Sequence, residues 1–207
     1  MITALALTVV VLGVLRFILL VAAHLINRDI NIVEHAVSDL ALGPTRALSR
    51  VTTWLTAVLW LGLGALVWLA QPEWSERGLV LAALSALAVI FAVLPFLPTD
   101  LEGDQPTVRG RLHLVAAVAW FALAYGTMPS FVRILSQVAP KGIVTAAEMT
   151  SRVAGFALAA LVVALVIPPL RRRAFGLSER LFLLAVIVFY VLVPIGMLTA
   201  EPRQSLG

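Results

Sequence analysis

Two acidic stretches stand beside apolar segments: Val37-Ser38-Asp39-Leu40 and, 61 residues on, Pro98-Thr99-Asp100-Leu101. Each sets a hydroxyl residue before an aspartate and a leucine after it. His113 follows the second stretch, and Glu179-Arg180 comes much later. Ser38, Asp39, Asp100, His113, Glu179 and Arg180 together have the side chains to bind a polar head group, a cation or a metal. They also have those of a general acid and base. Each has a structural reading as well. Asp100 is of the type that caps a turn, His113 of the type found satisfied in a core, and Glu179-Arg180 of the type that opens a solvated helix. The group becomes a site only if the chain's elements carry its members to one place.

Those elements are apolar helices. Of 207 residues, 61% are hydrophobic and only 13% charged, with a mean hydropathy of +1.04, whereas a soluble domain is roughly 25% charged. Six blocks, at about 2–26, 48–70, 78–97, 110–131, 152–170 and 180–199, approach the ~20 apolar residues that a transmembrane helix needs. They do not alternate as barrel strands would, and open sheet edges are not tolerated in lipid. The sequence therefore predicts an all-α fold: one domain over 1–207, a six-transmembrane-helix bundle with a short interfacial helix between helices 1 and 2. The first block lacks a basic leader and is too long for a cleavable signal, so it reads as a span. The absence of cysteine excludes disulfides and thiolate chemistry. The pI near 10.6 does not imply nucleic acid, because the arginines flank spans, where they set topology.

Counting bases gives an orientation. The second and fourth loops and the C-terminal end hold Arg77, Arg133, Lys141, Arg152 and Arg203. The first, third and fifth loops hold Arg28, Arg46, Arg50, Arg109, Arg111, Arg171, Arg172, Arg173 and Arg180. Basic loops stay in the cytoplasm, so the odd loops are expected there and both termini outside, in a multi-pass protein of the inner (plasma) membrane. Gly43-Pro44 and Pro106 mark helix starts. Thr145 with Glu148 fits a capping box ahead of span five, and Gly176 and Ser178 read as the break between spans five and six.

Placed on a helix at 100° per residue, Ile30 to Leu42 separates into a polar arc (Asn31, Glu34, His35, Ser38, Asp39) and an apolar one. Such a segment predicts a short helix lying flat in the interface. Its polar face looks either at water or at the other odd loops. The second case brings Ser38 and Asp39 to the leaflet that holds Asp100, Glu179 and Arg180. His113 lies two helical turns into span four from Pro106, roughly 10 Å deep. Arg16 is ten residues before Ile26, so roughly 15 Å into the first span. A charge at that depth is costly and normally faces a partner or a wet cavity, so Arg16 is expected to point into the bundle and meet a carboxylate or backbone carbonyls.

Ser38-Asp39-Leu40, Leu97-Pro98-Thr99-Asp100, His113 and Glu179-Arg180 resemble the motifs of a bacterial family of six-span membrane proteins, catalogued as a domain of unknown function (number 998). Members read Ile-Ser-Asp-Leu-Gly after span one and Phe-Pro-x-Asp after span three, with a histidine opening span four. Here Val37 stands in place of Ile, Leu97 in place of Phe, and the glycine is delayed to Gly43. The resemblance implies the fold and nominates these residues. It implies no activity.

Three functions fit. The first is binding or transport of a lipid head group or small polar solute in a pocket at the cytoplasmic face. The second is a membrane-embedded hydrolase using Asp39, Asp100 and His113, with or without a divalent metal. The third is a structural subunit of a larger membrane complex. Membrane lipids are the expected partners, along with a second copy or a complex partner. No resident cofactor or metal is expected, since His24, His35 and His113 form no recognisable ligand pair.

Overall fold

The computed structural model describes residues 1–100, 105 and 107–199. The described residues contain helices and turns but no strand. The helices are α1 (Ile2–Ile26), α2 (Arg46–Ala70), α3 (Arg77–Val93), α4 (Val108–Val138), α5 (Lys141–Val166) and α6 (Pro168–Leu198). All six are long and apolar enough to cross a membrane. Pro106 and Arg203 lie outside the described residues.

α6 is the hub. In its most apolar stretch 61% of residues are buried, against 22% in α1 and α5. It packs against α1, α5 and α4, while α2 lies between α1 and α3. The core around it is aromatic. Trp60 meets the edge of Tyr190, with ring centroids 4.7 Å apart, and Tyr190 donates from its hydroxyl to Ala124 O at 2.6 Å. The outward faces remain apolar, with Val11, Phe156 and Val188 exposed. That pattern suits a bundle whose surroundings are acyl chains, where helices are held by packing and hydrogen bonds and not by hydrophobic exclusion.

Three boundary expectations are corrected. α4 continues to Val138 and α5 begins at Lys141, so Thr145 and Glu148 lie inside α5 and cap nothing. α6 begins at Pro168, so Gly176 and Ser178 are helical, and Glu179-Arg180 sit three turns into α6 instead of opening it. The physical reason is length. A 31-residue helix is roughly 46 Å long, well beyond the ~30 Å hydrocarbon core, so its polar part stays helical outside the apolar stretch.

The segment between α1 and α2 is also corrected. Its helical parts are two 3-10 turns, Val37–Ala41 and Gly43–Thr45, and Ile30 to Ala36 is irregular. The helical-wheel pattern did not produce one continuous helix over Ile30 to Leu42, because α6 takes carbonyls that such a helix would use. Gly176 donates its N–H to Val33 O at 2.9 Å. Arg180 Nη1 donates to Ile32 O at 3.0 Å and to His35 O at 2.7 Å. Asp39 and Leu40 are buried, so this face of the segment looks into the protein.

Candidate functional site

The α1–α2 segment is a wall built on α6. The guanidinium of Arg180 grips its backbone and also donates from Nε to His24 Nε2 at 2.8 Å. His24 must then accept at Nε2 and carry its proton on Nδ1, which faces Leu20 O at 2.8 Å. One residue earlier, the buried Glu179 accepts the Val37 N–H at 2.7 Å. Asp39 accepts the Ala36 N–H at 3.1 Å, and Thr45 and Ser49 donate to Leu40 O. The 3-10 turn that carries Ser38 and Asp39 is therefore fixed at both ends.

The second acidic stretch is fixed by α4. Asp100 accepts from Thr107 twice, from the N–H at 2.8 Å and from the hydroxyl at 2.7 Å. Thr107, the N-cap residue, accepts in turn from Gly110 N–H. The two hydrogen bonds from Thr107, hydroxyl first and N–H second, hold the Asp100 carboxyl below its ordinary pKa. His113 faces Leu97 O through Nδ1 at 2.7 Å, which leaves Nε2 as its free acceptor position.

Between these two walls lies a cavity of about 1030 Å³. Arg16, Ser38, Asp39, Asp100, His113 and Glu179 all line it. Six of the seven residues nominated from the sequence thus share one space, at the end of the bundle formed by the α1–α2, α3–α4 and α5–α6 connections. Arg180 does not line it and acts behind the wall. Arg16 is buried and faces inward, as expected, but its expected carboxylate or carbonyl partner is not found among the described residues. Its guanidinium lies 5.5 Å from the Phe91 ring centroid, a cation–π contact.

Several residues of the site were not legible as such. Arg46, Arg50, Arg109 and Arg171 read as topology signals but line the cavity. His24, which forms no recognisable ligand pair in the sequence, accepts from Arg180. At the opposite end of the bundle, Glu76 accepts from Arg133 Nε at 2.7 Å and Nη2 at 2.6 Å and from the Ser130 hydroxyl. No local pattern joins residues so far apart in the chain.

The sequence matches over residues 5–196 the family described as Protein of unknown function (DUF998). The chain belongs to this family. No curated protein and no solved structure is detectably similar to it. The DUF998 match spans every helix lining the cavity, so the site lies within the family's shared region.

The Glu76 cluster of this DUF998 chain predicts an acid-sensitive joint. Hydrogen bonds from Arg133, then from Ser130, lower the Glu76 pKa from 4.5 to about 2. A depressed carboxylate pKa contributes stability that is complete above the unfolded value and is lost as pH falls through the folded one. The contribution is therefore expected to persist down to pH 4.5 and disappear towards pH 2. Thermal unfolding of the parent and of Glu76→Gln should differ at neutral pH and converge in acid. A constant difference across that window would contradict the assignment.

Proposed function

We propose that the protein binds a membrane lipid by an anionic head group in the cavity and holds or transports it there. One observation carries this reading: a single space joins an arginine-rich rim to an apolar interior. Arg46, Arg50 and Arg109 are exposed at the rim, and among the described residues none of them has an ion-pair partner. Phe121, Leu161 and Leu183 line the interior. The volume is of the size that holds a ligand. The carboxylates that a hydrolase would use accept backbone N–H groups of the scaffold, which favours binding over hydrolysis.

The test is a thermal shift in neutral detergent. Dihexanoyl phosphatidylglycerol is expected to raise the midpoint and dihexanoyl phosphatidylcholine is not. A ligand at a hundred times its Kd stabilises by about 2.7 kcal/mol, so saturation should be plain. The double variant Arg46→Gln with Arg109→Gln should melt like the parent without lipid and lose most of the shift. Equal responses to the two lipids would remove the anionic head group from this reading.

The same reading places the cavity at the cytoplasmic face, by the base count. Because the chain has no cysteine, single thiols report orientation. Glu73→Cys should be labelled from outside whole cells by an impermeant maleimide, and Arg172→Cys should be protected. The reverse pattern would turn the protein over and put the cavity outside.

A further inference from the structure

One side of the cavity is walled by α4 and α5. α4 and α5 form an antiparallel hairpin through Ala139 and Pro140. The helices touch closely where Tyr125 lies over Gly155: a Cβ on that glycine would stand 3.1 Å from the tyrosine Cζ. Towards the rim the cavity replaces that contact. Ala122 and Leu158, then Val118 and Val162, then Leu114 and Leu165 line it from the two helices. Val118 and Val162 each lie seven residues from the Tyr125–Gly155 contact, roughly 10 Å along their helices, and so are level with each other. Both line the cavity, yet they are 49% and 51% exposed, as is Leu114 at 49%. Facing side chains that line the cavity and stay half exposed leave space between the two helices at this level, a slit between α4 and α5.

The slit is apolar throughout. Its middle lies ten residues inside the start of α4, roughly 15 Å along the helix, which is the depth of acyl chains and not of water. Water would gain nothing from such an opening, whereas a hydrocarbon chain crosses it with no loss of apolar surroundings. A charged head group could not follow that route without losing its hydration. It can travel along the arginine rim while the chain passes between the helices.

We infer that the α4–α5 gap is a lateral portal through which an anionic phospholipid slides from the bilayer into the cavity, its chain between Val118 and Val162 and its head group against the rim arginines. This rests on the head-group reading above and adds that the ligand is drawn from the membrane and not from the aqueous phase. It also assigns a specificity that the rim alone lacks, since free phosphate or a glycerol phosphate would bind the arginines but leave the portal unused.

The experiment uses phosphatidylglycerol carrying a diazirine midway along one chain, mixed into phosphatidylcholine vesicles that hold the full chain. Adducts are mapped after illumination. Leu161 and Leu183 are 2% and 5% exposed and face the cavity, so surrounding lipid cannot reach them except from inside. Phe156, 79% exposed and outside the cavity, reports ordinary bilayer contact. Adducts are expected on Leu161 and Leu183 as well as on Phe156. Val118→Phe with Val162→Phe, at half-exposed positions with room for larger rings, should lower the interior adducts several-fold and leave those on Phe156 unchanged. If these variants fold poorly, Ala122→Leu, at another exposed portal position, is to give the same split. Interior adducts that persist with the portal filled, or that never form while dihexanoyl phosphatidylglycerol still raises the melting midpoint, would overturn the portal and spare the head-group site. Loss of the short-chain response itself would overturn the head-group site and the portal with it.

Discussion

Gly176→Val is expected to unseat the α1–α2 segment, at a cost on the order of 3 kcal/mol, the upper end of ordinary overpacking. A Cβ at this position would stand 2.7 Å from Ile32 O and 2.9 Å from Arg180 Nη1, and closer still to His35 O. Two of these three are backbone atoms that cannot swing aside as a side chain would. The displaced carbonyls are the ones that Arg180 holds, so the clash and the loss of the clamp act together. Intrinsic propensity works in the opposite sense, since alanine is favoured over glycine in a helix by up to about 1 kcal/mol. Even Gly176→Ala should therefore destabilise, which propensity alone cannot explain. Arg180→Lys should reproduce much of the effect. A lysine keeps the charge but has no planar fork to reach several carbonyls and His24 at once. Thermal unfolding in detergent measures the loss. Thiol labelling of Ser38→Cys, on the half-buried cavity wall, measures the exposure. A Gly176→Val protein that melts with the parent and leaves position 38 labelling at the parent rate would show that the segment does not depend on this seat.

The contrast between Gly176 as a sequence signal and as a contact shows where reading the chain succeeds. Six apolar blocks give six helices, because a long apolar run has no other way to satisfy its backbone in lipid. Their ends were less legible. Lys141 to Arg152 and Pro168 to Glu179 carry no continuous apolar run, yet both are helical, since a helix meets its own hydrogen bonds wherever neighbours brace it. Gly176 read as a breaker because its reason to be glycine lies 140 or more residues away in the chain. Ile30 to Leu42 failed differently. Its polar and apolar arcs are real, but a segment of that length is marginal as an isolated helix, and donors from α6 compete for its carbonyls. The convergence of Ser38, Asp39, Asp100 and His113 was legible, because alternate connections of a helical bundle return to the same end. The roles of the arginines were not. The same residues that read as topology signals also line the cavity, and only the fold reveals the second placement.

Gly110→Ala is expected to reverse the sign of its effect according to what stands at position 100. In the parent, a Cβ at Gly110 would lie 2.7 Å from Asp100 Oδ1 and overlap its other carboxyl oxygen. The carboxylate would have to leave Thr107, and α4 would lose the acceptor of two hydrogen bonds at its first turn, so the melting midpoint should fall. With Asp100→Ala already in place there is nothing to displace. The same substitution should then stabilise, by up to about 1 kcal/mol from helix propensity. A double-mutant cycle isolates this coupling because the residues are in direct contact. Additive effects would mean that the carboxylate does not sit against Gly110. The cycle also bears on what Asp100 does for a ligand. If Asp100 holds the start of α4 and the ligand is an anion, Asp100→Asn should lower the melting midpoint yet leave the response to dihexanoyl phosphatidylglycerol intact or larger, because a like charge has left the rim. A response that vanishes while the fold persists would instead make Asp100 a direct ligand, accepting from a head-group hydroxyl.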